Sequence, residues 1–567
     1  MHSDYYRQAN EKLLQLIREN VDLSVALGLP DHLGRLGDPS LAAKERELVR
    51  VRQLIEEIDD SRGEGFYEQL DLGLIKLYLQ QWVFFDTLQL NGQLLRCQKP
   101  AGVDGISEGI FQLFVNDGRD AGARLADILS RLKMVPAYLK QELETLTTPV
   151  RRWRDIELDQ AREIPELFQT VVTWARETGF DACDELATET ERACSALQRY
   201  SETLAALQTT DAFSIGREQM EALLVIKRLG KTPEQMRRMA ADYMTGIRTT
   251  LDELRVRLIA KYALDPATNI EQLHAFLLKR YSVQLEDGRL ESVLDQYKAE
   301  KEKIERWNRD RGLFRIPDEQ DMVIMRTPGF LEPVIPAGAV WTPLPLREGL
   351  RNSLVYLTLK DQELAEHTHL GIPMMMVHEG IPGHHLQFAC ASLQDSLIRR
   401  IFDANEHAEG WTTMLEDYML DNGYVDESLI DEVRFVTKRD ISRLVARVGI
   451  DLYFMSGDKS FLDIGLELDF DSPDPFKNAA LLLKTATGFT DGRVQSELNW
   501  YSKEQGYPLS YLTGNRLVWE IKEDIVRANR CRLSQAELDR EFHRIYLESG
   551  CMPVTTLREV YRHEGML

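Results

Sequence analysis

Helical periodicity runs through almost the whole chain, and strand-like segments are confined to one short window. Leu13, Leu14 and Ile17 recur at helical spacing. Thr232-Pro233-Glu234-Gln235 combines a capping threonine, a first-turn proline and a glutamine at the capping-box position. That pattern predicts a helix from there to about Tyr262. Asp38-Pro39 reads similarly, as an N-cap and first-turn proline opening a charged helix to about Asp60. The charge runs between apolar faces read as solvated helix surface. Strand formers gather between Gly338 and Leu359, as Ala339-Val340-Trp341 and then Ser353 through Leu359. Helical signals resume at about Asp361, and Gly457 to Pro475, rich in Asp, Gly and Pro, reads as a loop. The expected fold is mainly α. Pro328 to Pro345 is the expected seam between an N-terminal helical lobe, 1–327, and a C-terminal catalytic lobe, 328–567, within one continuous unit.

At 567 residues and 43% apolar, the chain can bury a large core. A formal net charge of −23 opposes binding to phosphate backbones, so no nucleic-acid partner is expected. The segment Met1 to Gln8 has no apolar signal region, and runs such as Trp82–Phe85 and Ile372–Val377 are too short to span a bilayer. These features predict a cytoplasmic protein, monomer or homodimer, with no membrane partner. The six cysteines are scattered with no CxxC pair, which predicts reduced thiols and excludes a compact zinc ribbon. Any metal must therefore use histidine and carboxylate ligands.

Three of the eleven histidines fall in one short segment, His378-Glu379-Gly380-Ile381-Pro382-Gly383-His384-His385. Zinc peptidases often carry His-Glu-x-x-His on one helix. Histidines four apart share a face there, and the Glu beside the first activates water. In this chain the second histidine comes two or three residues too late. Pro382 and Gly383 break or bulge a helix. A bulge would return His384 to the face of His378, whereas an unbroken helix would favour His385. Pro382 disfavours the unbroken helix, so His384 is preferred and His385 is the alternative. A third ligand is expected in the helical stretch Asn405 to Trp411, with Glu409 first and Glu406, one turn earlier, as its backup. His367 and His369 read as part of a preceding helix end or loop.

These motifs resemble the bacterial family known as domain of unknown function 885, whose members are regarded as metallopeptidases. The family pattern His-Glu-x-x-Pro-Gly-His, followed by His and Leu-Gln, is complete from His378 to Gln387. Its Glu-Gly-Trp box matches Glu409-Gly410-Trp411. Glu497 to Tyr501, and Gln505 to Tyr511 with Gly514, follow its later motifs loosely, and Phe542 through Gly550 is also similar. Trp500 stands where the family has Arg, Gln505 and Tyr507 replace Pro and Gln, and Asp451 replaces a His. The resemblance implies a large helical metallopeptidase-like fold, similar to Taq-type zinc carboxypeptidases. It also implies a deep cleft with a small β-sheet edge near the zinc. The strand Ser353 to Leu359, with Tyr356 facing substrate, is the candidate edge, because backbone pairing holds an extended peptide.

The expected centre is one Zn2+ per chain on His378, His384 and Glu409, with the fourth position open. Glu379 is the expected general base. Tyr501 or Tyr511 would supply a hydroxyl to the developing oxyanion. Arg443, Arg447 or Arg516 would bind a substrate carboxylate. The expected partner is a peptide or small amide, cleaved in carboxypeptidase or dipeptidase manner. The rival readings are a zinc amidase or deacylase on a small metabolite and a catalytically silent metal-binding protein. Glu379 speaks against the silent reading, since a purely structural zinc site needs no base.

Overall fold

The computed structural model describes residues 2–285, 288–327, 338–349, 351–359, 367–530 and 532–567. Part of the expected seam, residues 328–337, lies outside them, as do Cys531 and the expected helix start at Asp361. Helices dominate, and their ends follow local chemistry. The helix Pro233–Tyr262 opens with both hydrogen bonds of the Thr232/Gln235 capping box and stops where Ala263 turns left-handed at φ 50°. The first helix, Asp4–Glu19, buries Tyr6, Ala9, Leu13 and Ile17 along one stripe. One boundary differs from expectation. Ser40, not Asp38, caps the helix Leu41–Glu57 by accepting from the Ala43 N–H. The Asp38 carboxylate is engaged one step earlier, on the Ser40 N–H at 2.9 Å.

Two large apolar cores organise the body, and a third cluster, around Val293, Ile324, Val355 and Leu357, packs on the sheet. The larger draws residues from both ends of the chain, among them Leu13, Leu72, Leu254, Trp411, Val445 and Tyr561. The smaller lies among the helices Gly102–Val115, Ala121–Thr145, Arg151–Glu177 and Cys183–Ala206. Among the described residues no helix is long and apolar enough to cross a membrane. The described cysteines, Cys97, Cys183, Cys194, Cys390 and Cys551, are free thiols. Gly457 ends the helix Ile430–Ser456 at φ 77°, and a single short 3-10 turn interrupts the loop that follows before Pro475.

A three-stranded sheet lies against the smaller core. Its order is Gln320–Arg326, Arg351–Leu357, Gly338–Trp341, with the first pair parallel and the second antiparallel. This corrects the expected edge. The strand within Ser353–Leu359 is central, and partners on both sides occupy its backbone groups. Among the described residues the edge that borders the cleft is Gly338–Trp341, which contributes Val340 to the lining. Strand alternation also corrects Tyr356. Its side chain is buried in the smaller core, edge-on to Trp341 at 5.5 Å, while Leu357 faces the cleft.

Candidate metal centre and its cleft

The helix Gly371–Glu379 ends just after His378, four residues form a tight connection, and a new helix starts at His384. That connection contains a cis Ile381–Pro382 bond. Trp411, fully buried, donates from Nε1 to the Pro382 carbonyl at 2.9 Å and holds the connection against the helix Asn405–Asp421. A Cβ on Gly383 would fall 1.9 Å from the His378 carbonyl oxygen, so glycine is required for the chain to double back so closely. The result places the His378 and His384 rings edge to face, with centroids 5.1 Å apart.

Glu409 enters from the helix Asn405–Asp421. A Cβ on the adjacent Gly410 would meet the backbone of Gly514 at 2.4 Å, and one on Gly514 would meet the Glu406 carbonyl oxygen at 2.0 Å. This backbone crossing seats the helix Ser510–Asn529 against the Glu409 helix. The Glu-Gly-Trp box thus combines a candidate ligand, a helix crossing and a lock on the Pro382 connection.

The ligand-type atoms of His378, His384 and Glu409 all lie within 4.8 Å of one another. Glu409 Oε2 stands 3.4 Å from His384 Nε2 and 3.7 Å from His378 Nε2. A tetrahedral zinc with bonds of about 2.0–2.1 Å needs neighbouring donors roughly 3.3–3.4 Å apart, and the carboxylate oxygen stands close to that spacing from each imidazole. Among the described residues Glu409 Oε2 is buried with no hydrogen-bond partner apart from the imidazoles it faces. An orphaned carboxylate oxygen facing two imidazoles fits a cation, and three protein donors suit a catalytic zinc better than a structural one.

The outer contacts agree. His378 Nδ1 is 2.8 Å from Glu416 Oε1, which fixes Nε2 toward Glu409. Tyr507 donates its hydroxyl to Glu409 Oε1 at 2.9 Å, leaving Oε2 for the centre. Burial opposes charge at this centre, yet Glu409 and Glu416 hold the His378 imidazolium well above its ordinary range. Against the same burial, His384 and His378 hold the Glu409 carboxyl below its ordinary range.

Glu379 and Tyr511 line the same cavity as His378 and Glu416, a space of about 560 Å³. His385 is turned away. Its Nδ1 meets Ser353 Oγ at 2.7 Å and its Nε2 meets Gln320 Oε1 at 2.5 Å, so it ties the new helix to the sheet. Glu406 is also displaced, with Oε1 3.3 Å from the Val554 N–H. Tyr501 is fully buried and outside the lining, donating to Glu497 at 2.5 Å and accepting from Arg447 Nε at 2.9 Å. It cannot reach a substrate while held there. Arg447 and Arg443 line the cavity, whereas Arg516 does not and lies over the Tyr243 ring. His367 lines the cavity, with Nδ1 3.0 Å from the Tyr297 hydroxyl, while His369 is exposed.

The family departures acquire positions. Trp500 lies under the Arg447 guanidinium at 4.9 Å, and Tyr511 faces it at 4.5 Å. Gln505 bonds the local backbone at Ser502. Asp451 is buried, absent from the lining, and accepts from the Gly506 and Leu509 N–H groups at 3.1 and 3.0 Å. It shapes the turn that presents Tyr507. Sequence reasoning missed Glu416 and the role of Tyr507. Glu416 lies seven residues past Glu409, two helical turns on the same face, which was a usable signal.

A second cavity, about 630 Å³, lies between Arg315, Cys390 and Arg544. Its arginines are paired with acids, as in Arg315 with Glu548 and Arg399 with Asp71. Among the described residues no metal-type cluster lies there.

A family model described as a bacterial protein of unknown function, DUF885, matches residues 22–560. The chain belongs to this family. No curated protein matches it. Two solved structures match this DUF885 chain over nearly its whole length. A candidate lipoprotein of unknown function from Shewanella oneidensis has a TM-score of 0.74 and 17% identity, over 99% of this chain and 100% of its own. A candidate lipoprotein from Colwellia psychrerythraea has a TM-score of 0.78 and 16% identity, over 99% of each chain. At that identity the DUF885 chain shares the fold with them.

Proposed function

We propose that the chain is a zinc-dependent hydrolase of peptide or other amide bonds. The observation that carries this reading is the Glu409 Oε2 facing His384 and His378 Nε2, with Glu379 lining the cavity beside His378. His378, His384 and Glu409 would hold the ion. A bound zinc would polarise the scissile carbonyl and make water acidic enough to attack at neutral pH.

Glu379 takes the proton of the attacking water and passes it to the leaving amine. Tyr511, in the lining beside Arg447, donates its hydroxyl to the developing oxyanion. Glu416 and Tyr507 keep His378 and Glu409 oriented. The strand edge Gly338–Trp341 offers backbone groups to an extended substrate.

A small-metabolite amidase shares every one of these residues. The test is cleavage of a blocked peptide library by protein stripped with a chelator and then reloaded with zinc. Cleavage that disappears on stripping and returns on reloading supports a peptidase. Restored cleavage of acyl-amino acids but not of peptides supports the amidase. No zinc-dependent cleavage of either class rejects the hydrolase.

A further inference from the structure

The cavity that holds Glu379 also holds a guanidinium with an unused N–H. Arg443 lies on the helix Ile430–Ser456, one turn before Arg447, and both line the space below His378. The two arginines are in different situations. Arg447 is nearly buried and fully engaged, with Nε on the Tyr501 hydroxyl at 2.9 Å and Nη2 on Glu497 Oε2 at 3.0 Å. It braces the wall of the cavity. Arg443 is half-buried, and among the described residues its one ion pair is a long one, 3.9 Å from Nη1 to Glu497 Oε1. Among the described residues its Nε is buried with no hydrogen-bond partner. Glu497 leaves it unsatisfied, since Arg447 and Tyr501 share Glu497 Oε2 and Oε1 stands 3.9 Å from Arg443 Nη1.

A buried guanidinium N–H without an acceptor is costly, and a planar carboxylate is the group that matches the guanidinium fork with two parallel bonds. An incoming ligand is the natural source of that acceptor, since the cavity is open to ligands and Arg443 borders it. The other basic group in the lining, Arg493, adds positive charge to the same wall and lies over the Phe489 ring at 3.9 Å. A space of about 560 Å³ is the size of a small-ligand site, and so suits a short chain end.

We propose that the substrate bears a free carboxylate which Arg443 binds, so that cleavage occurs close to the C-terminus of a short peptide. This rests on the hydrolase reading above and narrows it. Arg443 is the residue that distinguishes a carboxylate from a neutral amide at the chain end. Arg447 positions the wall through Tyr501 and Glu497 and does not make this distinction.

The experiment uses the zinc-loaded full chain with N-acetyl-trialanine and its C-terminal amide. The wild type is expected to prefer the acid, and Arg443→Gln to lower the acid-to-amide ratio of kcat/KM by about ten- to a hundredfold. Arg443→Lys, which keeps charge without the planar fork, falls between them. Calorimetric binding of the same two peptides to Glu379→Gln, with and without Arg443→Gln, gives a readout independent of turnover. Equal handling of acid and amide by the wild type overturns the carboxylate proposal and leaves the hydrolase standing. If neither peptide is cleaved, the binding experiment decides. Arg443-dependent binding of the acid supports the carboxylate site, and no such binding overturns it, while the hydrolase stands or falls on the library test above.

Discussion

Gly383 passes the carbonyl oxygen of His378 so closely that a Cβ there would lie 1.9 Å from it. This contact folds the late histidine back onto the first one, and it makes Gly383 a determinant of the metal centre without being a ligand. The obstacle is backbone, which cannot rotate away. Gly383→Ala is expected to cost roughly 1–3 kcal/mol of stability through overpacking and to weaken zinc binding by displacing His384. Thermal unfolding and a competitive zinc titration check both effects. Wild-type zinc affinity in Gly383→Ala would contradict this account of the connection.

The two outer contacts make separable predictions. Glu416→Gln weakens the hold on His378 Nδ1, and the loss of such a partner typically costs about 10–100-fold in metal affinity. Tyr507→Phe removes the donor to Glu409 Oε1 and is expected to cost about tenfold. The same competitive titration measures both. Neither change touches Glu379, so cleavage at saturating zinc should survive better than affinity does.

His384 and His385 part company on mutation. His384→Ala is expected to lose stoichiometric zinc. His385→Ala is expected to keep it and to lower the unfolding temperature, because buried bonds to Ser353 and Gln320 are lost. Removing a buried, hydrogen-bonded ring of this kind costs on the order of 2–4 kcal/mol. Metal content and melting curves on the two variants provide the check, and the reverse pattern would move the centre to His385.

The sequence carried the helices well because caps and stripes are local. Thr232 and Gln235 contain all the information needed to start the helix at Pro233. The three metal-type residues were legible for a related reason, since Pro382 and Gly383 announced the break that returns His384 to His378. What remained hidden is long-range. Tyr501 and Tyr511 are indistinguishable as sequence, yet one is clamped between Glu497 and Arg447 and the other borders the cavity. The strand Gln320–Arg326 makes Arg351–Leu357 central, and a parallel partner so distant in sequence leaves no local mark on it. The family resemblance set Asp451 against a histidine, which suggested a change in the cleft, but Asp451 accepts backbone N–H groups beneath the Tyr507 turn.

That buried aspartate predicts a pH dependence of stability. Burial pushes the Asp451 carboxyl up to about 7, against the downward pull of the Gly506 and Leu509 N–H groups. In the unfolded chain the value is about 3.9. Between the two values the folded chain keeps a proton that the unfolded chain has lost. This contribution to stability is therefore full at low pH and is lost as pH rises through about 7. Asp451→Asn lacks the titration, so its melting temperature relative to wild type should rise between acid and neutral pH. Parallel pH profiles for the two proteins would contradict the prediction.

The most direct test measures zinc content and peptide cleavage on the same purified samples of wild type and Glu379→Gln. One zinc per chain in both, with cleavage falling in the variant by about 10²–10⁴-fold or more, is the result this account predicts. Equal cleavage by both proteins would remove Glu379 from the chemistry. Failure of the wild type to retain zinc under zinc-replete conditions would contradict the metal centre itself.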